Sequence, residues 1–463
     1  MKHYDLVVLG GGSAGYAGAR TARELGKSVA VVDGAKELGG LCILRGCMPS
    51  KTLIYSAEIL HMARNGRTFG LHIPEAHADF PALQARKKEI IREFQEYRTG
   101  QLEDGRFDLY RTTARFSAEK QVTLADGTVL SAEKFLIATG STVSTPPIPG
   151  LAGLPVLTSD DILDLDRQLE SVLVLGGGVV ACELAQFLQR TGTQTTLIQR
   201  SPRILKTCSP EASAAVENAF ADEGMRLYTG TKDLRLEPTP DGCAATFEQA
   251  GERIRAEARH VLNALGRTPS TQSLNLAATG VELRQSGHVG ANHFQQTSHP
   301  DIYAAGDCSG PHEVVHVAIQ QAECAIQHAF GAAAAPMDYD PLLLVVFTNP
   351  QVASVGLDEN QLRARNIPHR VESFPFDDHG KSILMNAMHG HVKAIAHEET
   401  GQLLGAECVG KDAGELIHAM SVGVSLKATV HDLAKAHWYH PTLSEIWTYP
   451  LEDLAEQIPA GSQ

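Results

Sequence analysis

The sequence predicts an α/β chain built on two matching βαβ halves, followed by a smaller α+β tail. Three observations lead there. Tyr4-Asp-Leu-Val-Val-Leu9 runs into the turn Gly10-Gly-Gly12-Ser13-Ala14-Gly15, and Ser171-Val-Leu-Val-Leu175 runs into Gly176-Gly-Gly178-Val179-Val180-Ala181. A helical pattern follows each turn, ends near Gly26 or Gly192, and leads to a second apolar run, Ser28–Asp33 or Thr195–Ile198. Beyond an alanine-rich stretch at Gly331–Pro336, strand-like runs (Leu342–Phe347, His391–His397, Leu403–Val409) alternate with helical ones.

Each element has a physical reason. Short β-branched runs bounded by glycine turns read as buried strands. Glycines in the G-x-G-x-x-G spacing permit a tight turn and a close backbone approach to a pyrophosphate on a helix N-terminus. Asp33, ending the second strand, suits a ribose diol. The second copy ends instead in Gln199-Arg200-Ser201-Pro202-Arg203. An arginine there suits the 2′-phosphate of NADP, although a solvated basic turn reads the same way. The halves are therefore Rossmann-like dinucleotide-binding units, and Pro146-Pro147-Ile-Pro149-Gly150 is a stiff junction between them.

The bulk numbers fit. A chain of 463 residues suggests about three domains at roughly 150 residues each. A formal charge of −14, with no basic face, argues against nucleic acid as a partner. No apolar run approaches the roughly 20 residues of a membrane span, so no membrane association is expected. The N-terminus enters a strand without a signal-peptide pattern, which points to the cytoplasm.

Eight cysteines in so long a chain do not make a disulfide scaffold. Only Cys42 and Cys47 are close together. Residues so spaced lie about 7.5 Å apart along a regular helix, while bridged cysteines need Cα atoms roughly 4.4–6.8 Å apart. A disulfide therefore requires an irregular turn, which Gly46 and Pro49 favour. A helical pattern begins at about Ser50, leaving Cys47 near a helix N-terminus, where thiolates are stabilised. Two buried thiols or half a zinc site would read alike, but no second close pair completes a zinc site. His312-Glu-Val-Val-His316 matches a zinc-protease pattern but has no evident third ligand, and no metal site is expected.

Gly39-Gly-Leu-Cys42-Ile-Leu-Arg-Gly-Cys47-Met-Pro-Ser-Lys51 closely resembles the active-site stretch of the flavoprotein disulfide reductases. These class I pyridine nucleotide-disulfide oxidoreductases include dihydrolipoyl dehydrogenase, glutathione reductase and mercuric reductase. Leu136-Ile-Ala-Thr139-Gly140 resembles the crossing out of the first domain, and Asn263-Ala-Leu-Gly266-Arg267 the return. Ile302-Tyr-Ala-Ala-Gly306-Asp307 resembles the second FAD motif, and His440-Pro441-Thr442-Leu-Ser-Glu445 the C-terminal catalytic signature.

The resemblance implies a discontinuous FAD domain (1–150 and 270–335), an NAD(P) domain (151–269) and a C-terminal dimerisation domain (336–463). It places FAD against Gly10, Gly12, Ser13, Ala14, Gly15, Asp33, Lys51, Thr113, Thr139, Gly140 and Asp307. It places the nicotinamide nucleotide, NADPH favoured over NADH, against Gly176, Gly178, Val179, Val180, Glu183, Arg200, Gly266 and Arg267. Lys51 and Glu183 look like the ion pair beside the flavin. Cys42 and Cys47 would form the redox disulfide, with Cys47 nearer the flavin and Cys42 meeting substrate. His440, held by Glu445, would manage the proton of Cys42 across a homodimer interface.

Departures concern the substrate. Leu41 replaces the usual threonine, removing a hydroxyl that could contact the FAD phosphates, and Leu44 and Arg45 are atypical, Arg45 adding a charge near substrate. Arg20 matches an arginine of glutathione reductases, but Glu323 stands where a second one reads tripeptide carboxylate and would repel it. The tail Ile458–Gln463 lacks the cysteine pair of mercuric reductases. Trp438 and Tyr439 would narrow the approach. The expected activity is dihydrolipoyl dehydrogenase-like, on a small or lipoyl-type disulfide. A glutathione- or mercuric-reductase-like activity on another acceptor (metal ion, quinone) is the second reading. An FAD-binding subunit of a larger complex is the third.

Overall fold

The computed structural model describes residues 1–459. The first glycine turn joins β1 (Lys2–Leu9) to α1 (Ser13–Glu24), which leads to β2 (Val29–Val32), parallel to β1 with Leu6 opposite Val29. Alternate residues of β1 point to opposite faces. Leu6 and Val8 join the core under α1, while Val7 and Leu9 join the core on the other side. Burial on both faces is why the strand reads as an unbroken apolar run. The sheet has seven strands, in the order Asp108–Tyr110, β2, β1, Val129–Ile137, Gln121–Leu124, Ala114–Ala118, with Ile302–Ala304 also on Val129–Ile137.

The second half repeats the pattern. Strand Ser171–Leu175, helix Val179–Arg190 and strand Gln194–Ile198 build a parallel five-stranded sheet with Arg226–Tyr228, His260–Asn263 and Val156–Leu157. Val172 and Val174 face one core, Leu173 and Leu175 another. A three-stranded antiparallel meander, Lys232–Thr239, Gly242–Gln249 and Glu252–Ala258, interrupts this half and was not expected. Its turns at Asp241-Gly242 and Ala250-Gly251 carry the glycines such hairpins use. The chain leaves and returns to the first half through the antiparallel pair Ser141–Val143 and Arg267–Pro269.

The tail forms an antiparallel five-stranded sheet, in the order Leu343–Val346, Gln351–Gly356, Leu403–Gly410, His391–His397, His369–Pro375. Val346, Val352 and Val409 of this sheet share a core with Leu53, Leu184 and Phe187. Among the described residues no helix is long and apolar enough to cross a membrane.

Candidate active site

Both glycine turns adopt one geometry. Gly10 and Gly176 have φ of +104° and +114°. A Cβ on either would sit 2.3 or 2.4 Å from the carbonyl oxygen of Ala138 or Ala264. Ser13, Ala14 and Gly15 form the first turn of α1, whose N-cap Gly12 supplies no side-chain acceptor for the leading amides. Asp33 accepts from the Gly11 N–H at 2.7 Å and the Ala35 N–H at 2.8 Å. Thr113 lies beside this turn, against Gly34. Thr139 donates to the Ser270 carbonyl at 2.7 Å, and the Gly140 carbonyl accepts from the Ser270 N–H. Asp307 accepts from the Ser141 hydroxyl at 2.6 Å, and Arg267 Nε donates to that hydroxyl oxygen at 2.7 Å. Arg267 is thus grouped with Ser141 and Asp307. Gly266 (φ +104°) precedes it and accepts from the Ser144 N–H.

At the second turn, Gly178 caps helix Val179–Arg190, and Val179 and Val180 are exposed. Gln199 stands where Asp33 stands in the first copy. Its side chain packs on Gly177, and its Oε1 accepts from the Arg200 N–H. The Arg200 side chain is exposed and makes no ion pair among the described residues.

Helix α2 (Gly40–Arg45) stops at Gly46, and α3 (Cys47–Arg64) starts at once. The helix therefore begins at Cys47, earlier than Ser50. Pro49 falls in its first turn, where a missing N–H has no partner to lose. A Cβ on Gly46 would lie 3.0 Å from the Leu41 carbonyl oxygen and 3.2 Å from Cys42 Cα, so this residue lets the two backbones close up. Both cysteines are free thiols. The hydrogen bond from the Cys42 thiol, helped by the Lys51 charge, draws the Cys47 pKa down to about 7. Sharing its proton with Cys47, together with burial, pushes Cys42 far up.

Lys51 follows one turn along α3. Its Nζ is 2.7 Å from Glu183 Oε2, and Glu183 is only 4% exposed. Glu183 Oε1 accepts from the Phe347 N–H at 2.9 Å, and Lys51 Nζ lies 4.7 Å from the Phe347 ring centre. One ion pair thus ties together α3, the second glycine-turn helix and the tail.

His440 Nδ1 lies 3.0 Å from Glu445 Oε2, with the imidazole 80% exposed and Glu445 well buried. A second histidine, missed in the sequence, backs this pair. His379 is fully buried, with Nε2 3.5 Å from Glu445 Oε1 and Nδ1 2.8 Å from the Ser382 hydroxyl. Burial lowers the His379 pKa against the pull of Glu445. Among the described residues, no hydrogen bond or ion pair within the protomer joins His440 to the cysteine segment.

Two further expectations change. Arg45 holds Asp164 at 2.8 Å, beside Lys87, so its charge is spent within the protein. Arg20 and Glu323 bond to each other, so Glu323 neutralises Arg20. His312 lies outside the helix Val315–Ala329, so His312 and His316 do not share a helical face. Of the tail Ile458–Gln463, residues 460–463 lie outside the described residues.

Two glycine-turn nucleotide folds joined at a cysteine pair and a buried Lys–Glu bridge define a nucleotide-dependent thiol–disulfide oxidoreductase. The family model "Pyridine nucleotide-disulphide oxidoreductase" matches residues 4–329, and its dimerisation domain matches residues 343–450. The chain is 35% identical over 454 residues to a dihydrolipoyl dehydrogenase of Thermus scotoductus, covering 96% of each. It is 34% identical over 443 residues to a mercuric reductase of Staphylococcus aureus, covering 96% of this chain and 81% of that one. Among solved structures, LpdA from Mycobacterium tuberculosis superposes with a TM-score of 0.87 at 27% identity, over 98% of this chain and 100% of that one. The flavoprotein disulfide reductase RclA from Escherichia coli, at 23% identity and a TM-score of 0.85 over 97% and 99%, shares the fold. The chain belongs to the pyridine nucleotide-disulfide oxidoreductase family, and is an FAD-dependent enzyme using NAD(P)H.

Proposed function

We propose that the enzyme moves electrons between NADPH and a small or carrier-borne disulfide through Cys42 and Cys47. The observation that carries this is the placement of two free thiols across the close backbone approach at Gly46, one turn from the Lys51–Glu183 pair, with Cys47 drawn down to about 7 and Cys42 pushed up. One is a ready thiolate, and the other needs a base. The first turn of α1, which no side chain caps, fits FAD together with Asp33 and Asp307. Held by these residues, FAD would supply the two-electron redox chemistry that links the nicotinamide nucleotide to the cysteine pair. Gln199 in place of an acid, beside the unpaired Arg200, favours NADPH.

With the pair reduced, His440 takes the proton of Cys42, and Glu445 steadies the imidazolium. Cys42 attacks the substrate S–S bond, and the first thiolate to leave takes the proton from His440. Cys47 then attacks Cys42 Sγ, closing Cys42–Cys47 and expelling the second thiolate. The absence of a contact between His440 and Cys42 within one protomer, together with the dimerisation-domain match, supports a homodimer in which the histidine reaches the partner's cysteines.

The test is a turnover panel: lipoamide, glutathione disulfide and mercuric ion, each with NADH and NADPH. Turnover of a disulfide that is lost in Cys42→Ser is expected. Turnover that survives Cys42→Ser would shift the reading to direct reduction of another acceptor.

A further inference from the structure

Helix α4 (Phe80–Glu103) packs against α2 and α3 and carries Arg98, which reaches Tyr16 of α1. The Arg98 guanidinium lies 4.1 Å from the centre of the Tyr16 ring, stacked on its face. Its Nε and Nη1 atoms are buried, with no hydrogen-bond partner among the described residues. The groups facing it are Tyr16, Tyr97, Cys42 and the like charge of Arg20, and burial lowers its pKa. Among the described residues of the protomer, no carboxylate answers it. The nearby acids are taken, because Glu323 and Glu24 both hold Arg20.

The contrast with the other cations is informative. The buried Lys87 and Arg190 each hold a carboxylate, Asp164 and Glu223. A half-buried cation with two unanswered donors is costly, and a native structure that keeps one calls for an explanation. This one lies on the helix that packs against α2, which carries the thiol that meets substrate.

We infer that Arg98 is an anion-binding residue at the mouth of the disulfide site, and that the disulfide reaching Cys42 carries a carboxylate or similar anion close to its sulfurs. The inference rests on the assignment of Cys42 as the substrate-facing thiol. It deepens that reading by naming a substrate class, since lipoamide is neutral. Arg20 cannot fill the role, being already neutralised.

The test compares two aryl disulfides on the FAD-loaded enzyme with NADPH: the dianionic dithiobis-nitrobenzoate and the neutral dithiodipyridine. Arg98→Gln is expected to lower kcat/KM for the anionic disulfide by about ten- to a hundredfold, the scale of a lost charge-assisted hydrogen bond. The loss should fall mainly on KM. Turnover of the neutral disulfide should stay within about twofold, and Arg98→Lys should recover much of the anionic rate. Equal losses on both disulfides, or none on the anionic one, would overturn the inference and make Arg98 a structural cation. If the wild type turns over neither disulfide, the reading of Cys42 itself fails.

Discussion

The hydrogen bond from Cys42 to Cys47 can be isolated by substitution, because Cys42→Ser keeps a donor and Cys42→Ala removes it. With the donor present, Cys47 titrates at about 7, so about half of it is thiolate at pH 7. Without it, the thiol should move back towards the ordinary value of ~8.5, leaving about 3% ionised. A more basic thiolate is also a better nucleophile. With a Brønsted slope of about 0.4–0.5, a rise of roughly 1.5 in pKa makes each thiolate about fivefold faster. At pH 7 the alanine variant should therefore react only about threefold more slowly than the serine variant, and it should overtake it at about pH 8. The assay is the rate of attack on dithiodipyridine against pH. Burial pushes the other cysteines up while Cys47 is drawn down, so it dominates the fast phase. Profiles that share one midpoint and never cross would refute the hydrogen bond as the cause.

Arg200→Glu should lower the NADPH-to-NADH ratio of kcat/KM by about ten- to a hundredfold, measured with one disulfide at saturation; an unchanged ratio would remove Arg200 from the phosphate site. Glu183→Gln keeps an acceptor for the Phe347 N–H but leaves Lys51 unpaired. Denaturant unfolding should show a loss of about 1–3 kcal/mol, less than for a fully buried pair because Lys51 is 32% exposed. His379→Asn should lower kcat on the order of tenfold, the scale seen when a partner that orients a functional histidine is lost. KM for the nucleotide and the thermal midpoint should stay close to wild type; a matched drop in thermal stability would reduce His379 to packing.

What was legible in the chain was local. Both βαβ units were visible because strand, turn and helix follow one another without interruption, and burial on both sheet faces makes the strands solidly apolar. The His440–Glu445 contact was visible because the two residues sit within one tight turn. Pairings across the chain were not. Arg45 was read as a charge at the substrate site, but its partner, Asp164, lies on a distant segment. In the sequence Arg20 and Glu323 each bear separately on a substrate carboxylate, while the fold gives each the other. His379 carries no motif at all, and only the packing of the tail brings it to Glu445. Pro49 misled for a different reason. A proline ends a helix when it falls inside one and is tolerated in the first turn, and only the break at Gly46 tells which applies.

Sharing one proton also orders the reaction. Lys51 is already engaged by Glu183, so the main support of the Cys47 thiolate is the Cys42 thiol itself. A thiolate so stabilised is a weak nucleophile and does not attack prematurely. Once Cys42 gives up its proton and bonds to a substrate sulfur, that hydrogen bond no longer exists. The thiolate then becomes more basic and more nucleophilic at the step where it must attack Cys42 Sγ. Close backbone approach at Gly46 keeps the two sulfurs within reach for that attack. Any substitution that lowered the Cys47 pKa through a permanent charge would increase the thiolate population and still slow this second displacement, because the stabilisation would persist after Cys42 had reacted.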